Sequence, residues 1–168
     1  PNAWLGLAIV RYMSQYGGNE FLPLAQKLAD AMILLQDAGA QGGVRYGPQG
    51  QWHPSGDWNE AFNTIYFEKN VSAFAFFMSL YKITSDTKYK VAADKILDWA
   101  KYAQVFTASG QPQTGLFNYE TNTFYMGVEY INGRWVLEEQ FATDAAGTWA
   151  ISSFGSETID RLWGREAA

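Results

Sequence analysis

Two stretches of the chain match each other without a gap at an offset of 68 residues, and they decide the fold. The first covers residues 2–30 and reads NAWLGLAIVRYMSQYGGNEFLPLAQKLAD; the second covers residues 70–98 and reads NVSAFAFFMSLYKITSDTKYKVAADKILD. In each, a segment that is apolar nearly all round is followed by polar turn residues and an amphipathic segment. This order predicts a hairpin made of a buried inner helix and an outer helix with one solvated face.

The predicted helices pair into hairpins that can share one core. Their expected bounds are 3–16, 20–37, 71–83 and 87–103. A partial third copy begins at Asp144, and Ser156 could start its short outer helix. Inner helices that line a core, with outer helices around them, predict an all-α toroid of α/α hairpins.

The connections between the hairpins are long, and they carry segments that resemble strands. They span residues 38–66 and 104–142. Asn132-Gly133 lies between two β-favouring runs and predicts a hairpin turn. We therefore expect a small antiparallel β insertion near residues 115–140, over one end of the helices. Connections of this length are uncommon unless they serve a function.

Composition narrows the classes of partner. The formal charge is −5 and the pI about 4.8, which argues against nucleic acid and anionic membrane surfaces. No apolar run reaches the roughly 18 residues that a membrane span needs. With no cysteine and one histidine, no metal site is expected. No phosphate-binding or dinucleotide-binding glycine motif occurs, so we expect no cofactor.

Aromatic residues are abundant, at 7 Trp, 10 Tyr and 11 Phe, or 17% of the chain. Most are expected in the core, but flat aromatic faces also stack on sugar rings. The candidates for a sugar platform are Trp52, Trp58, Tyr125 and Trp149. Trp149 lies inside the third predicted inner helix, where core packing is the alternative.

Polar residues of the first long connection have a plain explanation and a functional one. His53 could hydrogen-bond a ligand, or it could simply occupy a loop. Asp57 and Glu60 flank Trp58 in an acidic-aromatic cluster, although loop charges are usually just solvated.

Two acidic residues stand where inner helices begin. Glu68 lies in FEKN at 67–70, and Asp144 ends ATD at 142–144. A carboxylate at a helix N-terminus can cap free N–H groups and is favoured by the helix dipole. If the ends of adjacent inner helices converge, Glu68 and Asp144 would instead face one pocket. Two facing carboxylates are the groups that glycoside hydrolysis requires.

Five sequence motifs are similar to those of a known superfamily. They are NAWLGLA at 2–8, GGVRYGP at 42–48, FEKN at 67–70, TSDTKYKVAADKI at 84–96 and ATDAAGTWA at 142–150. Together they resemble the six-hairpin, or (α/α)6 toroid, glycosidase-like superfamily. The resemblance implies an acidic cleft at one end of the inner helices and an oligo- or polysaccharide ligand. By position it implicates Glu68 and Asp144 as catalytic residues and Asn70 as a substrate-binding polar group.

The chain departs from that superfamily in length. Six hairpins at this spacing would need roughly 408 residues, whereas 168 are present. We expect residues 1–168 to form one domain, a fragment of a longer catalytic domain. Its inner helices would then need the rest of the toroid or another subunit to cover them. The resemblance favours a secreted or periplasmic bacterial protein.

Other functions are compatible with the same pattern. A non-catalytic carbohydrate- or protein-binding helical repeat would use Glu68 and Asp144 only as helix caps. A toroid sugar epimerase is disfavoured, since such enzymes rely on several histidines and this chain has one.

Overall fold

The computed structural model describes residues 2–36, 39–51, 56–57, 59–141 and 148–164. Its helices are α1 (Asn2–Tyr16), α2 (Leu22–Gln36), α3 (Glu60–Asn63), α4 (Phe67–Thr84), α5 (Thr87–Tyr102), α6 (Ala150–Phe154) and α7 (Ser156–Trp163). The pairs α1–α2, α4–α5 and α6–α7 each pack as a hairpin. The predicted α/α-hairpin architecture is confirmed.

Helix α4 lies at the centre of the inner layer. It packs against α1 on one side and α6 on the other, with α5 outside it. Half of its residues are buried, from Phe67 to Leu80, which explains why its sequence is apolar on nearly every side. The α1–α4 contact is close, because a side chain at Gly6 would collide with the Phe76 ring.

Turn chemistry explains where the second hairpin reverses. Ser85 takes the left-handed conformation (φ 57°) and its N–H bonds the carbonyl of Tyr81, which ends α4. The Asp86 side chain then accepts a hydrogen bond of 3.0 Å from the N–H of Lys88, capping the start of α5. One short polar turn therefore stops the inner helix and starts the outer one.

The β structure is a six-stranded mixed sheet. Its strands are β1 (Thr64–Tyr66), β2 (Gln104–Phe106), β3 (Pro112–Thr114), β4 (Phe117–Asn118), β5 (Thr123–Ile131) and β6 (Arg134–Phe141). The order is β1-β5-β6-β2-β3, with β4 beside β5. Strand β2 pairs with β6 in parallel. The expectation of a small antiparallel insertion near 115–140 was too narrow, because both long connections contribute strands.

The hairpin turn predicted at Asn132-Gly133 is confirmed. Both residues have positive φ, 50° and 85°, as the two central positions of a type I′ turn require. The turn sets the register of β5 against β6, with Ile131 opposite Arg134 and Glu129 opposite Val136.

An aromatic cluster joins the sheet to the helices. Phe67, the first residue of α4, stacks on Phe124 of β5 at 4.4 Å and lies 6.5 Å from Trp99 of α5. Phe154 and Trp163 of the third hairpin close the cluster from the other side. The sheet is therefore anchored over the N-terminal end of α4.

The first hairpin keeps a large apolar face exposed. Its exposed large side chains are Trp4, Leu5, Tyr12, Tyr16, Phe21, Leu24 and Leu34, with exposed fractions between 44% and 74%. In the described ranges no helix combines the length and apolarity that crossing a membrane requires.

Candidate functional site

Glu68 lies where a strand passes directly into an inner helix. Tyr66 ends β1 and Phe67 begins α4, so Glu68 is in the first turn of that helix. A carboxylate in this position is favoured by the positive end of the helix dipole. It forms an ion pair with Lys69, and its side chain is 28% exposed. Solvent can therefore reach this carboxylate, and its nearest cation is the next residue.

Asn70 joins the first connection to the start of α4. Its side chain is fully buried. The side-chain oxygen accepts a bond of 2.7 Å from the N–H of Val44, and its nitrogen donates to the carbonyls of Val44 (3.1 Å) and Tyr66 (2.8 Å). Because the amide is committed to these backbone groups, the structure gives Asn70 a positioning role beside Glu68.

A small cavity of about 60 Å³ brings together the starts of two inner helices. Asn2 and Trp4 line it from α1, and Lys69 and Ser72 line it from α4. Trp4 and Ser72 are repeat-related positions, since they are 68 residues apart. The N-terminal ends of α1 and α4 therefore meet at this cavity, whose lining includes Lys69, the ion-pair partner of Glu68.

Trp4 is an aromatic candidate that the sequence analysis missed. It is 52% exposed, and its ring meets Trp149 edge to face at 5.4 Å. Trp149 was one of the predicted platform residues and is partly buried against the core. The tryptophan pair extends this site from α1 to the third hairpin. The repeat could have identified Trp4 as a candidate. Trp4 corresponds to Ser72, and the two residues occupy the same repeat position in α1 and in α4.

A separate cleft, which is acidic, lies on the outer face of the sheet. It has a volume of about 140 Å³ and is lined by Glu60, Thr64, Tyr66, Val128, Glu129 and Glu138. In the register of β5 and β6, Glu129 faces Val136 and Gly127 faces Glu138. Glu129 and Glu138 are thus diagonal neighbours on one face, a relation that separates backbone positions by roughly 7–8 Å.

Tyr66 forms one wall of this acidic cleft. Burial raises the pKa of its hydroxyl, and the nearby Glu60, Tyr46, Glu138 and Glu129 raise it further. Its ring meets Tyr46 edge to face at 5.3 Å, which fixes the ring against the sheet. At neutral pH the hydroxyl is therefore a protonated hydrogen-bond donor beside three carboxylates.

The sequence itself indicates that Glu129 and Glu138 lie on one face of the sheet. A two-residue turn at Asn132-Gly133 fixes the register of the two strands, and counting back from it places both glutamates on one face. Glu60, which sequence reasoning leaves as a solvated loop charge, reaches the same cleft from α3.

Tyr125 belongs to a different cleft. It is 8% exposed, and its hydroxyl accepts a bond of 3.2 Å from the amide of Asn118. The cleft that it helps to line has a volume of about 340 Å³ and lies between β3, β4 and the start of β5. Burial is the main cause that raises the pKa of the Tyr125 hydroxyl.

Four predicted site residues lie outside the described residues. They are Asp144, Trp52, His53 and Trp58. Among the residues that are described, no three His, Asp or Glu side chains are arranged to hold a metal ion.

Sequence comparison finds no matching family model, and no curated protein matches either. Solved structures do match. An inactive double-aspartate variant of the α-1,6-mannanase GH76A of Salegentibacter sp. HEL1_6, in complex with α-1,6-mannotriose, superposes with a TM-score of 0.69 at 17% identity. A second inactive variant with α-1,6-mannotetrose and the enzyme itself each give 0.67, also at 17% identity.

The match is one-sided in length. It covers 99% of this chain and 43% of the mannanase, so the chain spans less than half of that enzyme. The variants of the mannanase are inactive through replacement of two consecutive aspartates. No two aspartates are consecutive in the 168 residues of this chain. At this identity the likeness concerns the fold alone, and the chain shares the fold of part of that mannanase.

Proposed function

We propose that the chain is part of a glycoside hydrolase-like domain that binds an oligo- or polysaccharide and cleaves it with Glu68 and Asp144. The observation that carries the proposal is the superposition on an α-1,6-mannanase over 99% of this chain. Glu68 supports it, because this carboxylate is solvent-accessible at the N-terminal end of an inner helix, beside a cavity lined by two such helices.

In this proposal the two carboxylates divide the chemistry. One donates a proton to the leaving glycosidic oxygen, and the other attacks the anomeric carbon or activates a water. Lys69, which is paired with Glu68, helps to hold that carboxylate in place. The Trp4–Trp149 pair provides an aromatic surface close to the same helix ends, suited to stacking on a sugar ring.

The test is hydrolysis of α-1,6-mannan and of other neutral polysaccharides by the protein and two variants. Glu68→Gln and Asp144→Asn should each lower kcat by about a hundredfold or more, because general acid–base catalysis contributes on that order. Binding of oligosaccharide and the melting temperature should stay close to wild type. Glu157→Gln is the matched control, since Glu157 is an exposed first-turn glutamate of the outer helix α7.

Unchanged hydrolysis in Glu68→Gln would refute the assigned role. A fall in melting temperature without any activity to lose would instead identify Glu68 as a helix-stabilising charge. Glu129→Gln and Glu138→Gln, tested in the same assay, show whether the outer acidic cleft supplies the carboxylates.

A second candidate function is non-catalytic saccharide binding. Glu68 is compatible with it, because a carboxylate in the first turn of α4 stabilises the helix through its dipole without any catalytic role. It predicts saturable oligosaccharide binding with no release of reducing sugar from any substrate.

The exposed face of the first hairpin is part of the same proposal. Apart from Trp4, which is assigned to the saccharide, Leu5 and Tyr12 are about half exposed along α1, whereas α4 is flanked on both sides. We assign this face to a further helical hairpin, either of the same polypeptide or of another subunit, because exposed apolar surface of this kind is normally covered.

A further inference from the structure

We propose that the cleft beside Tyr119 is a second saccharide-binding site, which takes one neutral hexose unit of an oligo- or polysaccharide. Its volume is about 340 Å³, and its lining comes from β3, β4, the following turn and the start of β5. The hexose would stack on the Tyr119 ring. This site does not depend on the hydrolytic function proposed above.

Tyr119 is exposed and yet held in place. Its side chain is 57% exposed. The hydroxyl accepts a hydrogen bond of 2.5 Å from the ammonium group of Lys101, and the ring meets Phe117 edge to face at 4.9 Å. A ring fixed before binding loses little conformational entropy when a ligand stacks on it, which is the advantage of a preorganised site.

The turn that carries Tyr119 is also ordered by its own bonds. The side-chain oxygen of Asn118 accepts from the N–H groups of Glu120 (2.8 Å) and Thr121 (3.3 Å). The hydroxyls of Thr121 and Thr123 are bonded to each other at 2.8 Å. The platform and the backbone beneath it are therefore ordered by bonds within the chain.

Polar side chains line the cleft around the Tyr119 ring. Gln113, Thr114, Asn118 and Glu120 line the cleft together with Tyr125. Asn118 is bonded within the turn and to Tyr125, so the exposed Thr114 hydroxyl and Glu120 carboxylate are the groups placed to bond adjacent hydroxyls of a sugar ring, whose apolar face meets the aromatic ring. Glu120 is the charged residue among the described residues of the lining, and the Lys101 ammonium that bonds the Tyr119 hydroxyl offsets its charge, which favours a neutral ligand.

The cleft is separate from the helix-end site. No residue of α1 or α4 appears among the side chains that line it, and Glu129 lies at the other end of β5. A chain bound here would run along the sheet, away from the cavity between α1 and α4. Loss of this cleft should therefore lower the affinity for polysaccharide without changing the rate at which a short substrate is cleaved.

The experiment measures binding to soluble α-mannan by affinity electrophoresis and to α-1,6-mannotetraose and cellotetraose by calorimetry. Tyr119→Ala should weaken binding of the preferred glycan about fivefold to tenfold, the range expected for one aromatic stacking partner. Tyr119→Phe keeps the ring and loses the Lys101 bond, so it should retain most of the affinity. Tyr130→Ala is the matched control, because Tyr130 is 42% exposed at the far end of β5 and should bind as wild type.

Two results would overturn the site: equal affinity of Tyr119→Ala and wild type for every probe, or no binding of any probe by wild type. The hydrolysis assay keeps this failure distinct from failure of the proposed function. Tyr119→Ala should cleave short oligosaccharides at the wild-type rate, whereas Glu68→Gln should lose cleavage and keep its retardation by α-mannan.

Discussion

The first and second hairpins share one sequence pattern and differ in what surrounds them. Helix α1 packs beside α4, whereas α4 packs between α1 and α6. Phe21 and Tyr89 occupy the same repeat position, Phe21 just before α2 and Tyr89 in the first turn of α5, yet Phe21 is 44% exposed and Tyr89 is fully buried. Neighbouring elements therefore decide burial here, because residue type and repeat position are nearly the same.

The same contrast applies to an identical residue. Asn2 and Asn70 are 68 positions apart, and both stand near the start of an inner helix. Asn2 is exposed at the cavity rim, while the buried Asn70 bonds two backbone segments. A repeat position can thus be structural in one copy and open to a ligand in the next.

The largest expected difference is between Tyr89→Ala and Phe21→Ala. Removing the buried Tyr89 ring should lower the free energy of unfolding by about 3–5 kcal/mol, the cost of emptying a core aromatic site. Phe21→Ala should cost less than about 1 kcal/mol, as is usual at the surface. Urea denaturation measures both. Equal costs would show that another element covers Phe21 in solution.

The difference in stability between Asn70→Ala and Asn2→Ala should be somewhat smaller. Asn70→Ala leaves the N–H and carbonyl of Val44 without their buried partner, so we expect a loss of about 3 kcal/mol. Asn2→Ala should change stability by no more than about 0.5 kcal/mol. The melting temperatures of the two variants make the comparison, and a drop for Asn2→Ala as large as for Asn70→Ala would refute it.

A pH titration tests Tyr89 in a different way. Burial raises the pKa of its hydroxyl above the ordinary value of about 10. The folded state thus holds this proton more tightly than the unfolded state, and the stabilisation is present below about pH 10 and lost as pH rises toward the folded-state pKa. Tyr89→Phe should reduce the alkaline loss of stability.

The matched variant for this titration is Phe21→Tyr, which places a tyrosine at the exposed repeat position. It should leave the alkaline part of the stability curve unchanged. The measurement is the free energy of unfolding between neutral pH and the alkaline limit of folding. Identical curves for wild type and Tyr89→Phe would contradict the assignment.

The smallest effect is expected for the aspartate pair. The Asp30 carboxylate of α2 bonds Lys88 of α5 at 2.9 Å, with about half of each side chain exposed. Asp98, its repeat counterpart, is also exposed on α5. Asp30→Asn should cost about 0.5 kcal/mol at low salt, and less as salt screens the pair. Asp98→Asn serves as the reference, and a salt-independent cost at Asp30 would argue against an ion pair.

Local patterns were enough to predict the hairpins. The apolar periodicity and the turn residues Ser85 and Asp86 place α4 and α5 within a few residues of their observed bounds. The Asn132-Gly133 turn is equally local, because only positive φ at both positions satisfies it.

The sheet was underestimated for a physical reason. Strands β1, β2 and β3 have three residues each, too few for an alternating pattern to be recognised. The β2–β6 pairing is parallel and long-range, so no turn sequence signals it.

The site was predicted unevenly for a related reason. Glu68 follows from its place before an inner helix, whereas Glu129 and Glu138 meet only through strand register. Trp4 falls in a segment predicted as a buried inner helix, and its exposure depends on the absence of a described neighbour on that side of α1.

The direct passage from β1 to α4 has a mechanical consequence. Tyr66 and Phe67 are consecutive, no linker residue separates strand from helix, and Asn70 bonds back to the Tyr66 carbonyl. A force applied to this edge of the sheet is therefore transmitted to the first turn of α4 rather than absorbed by a flexible hinge. Glu68 is the second residue of that helix, so it lies directly on this path from the sheet.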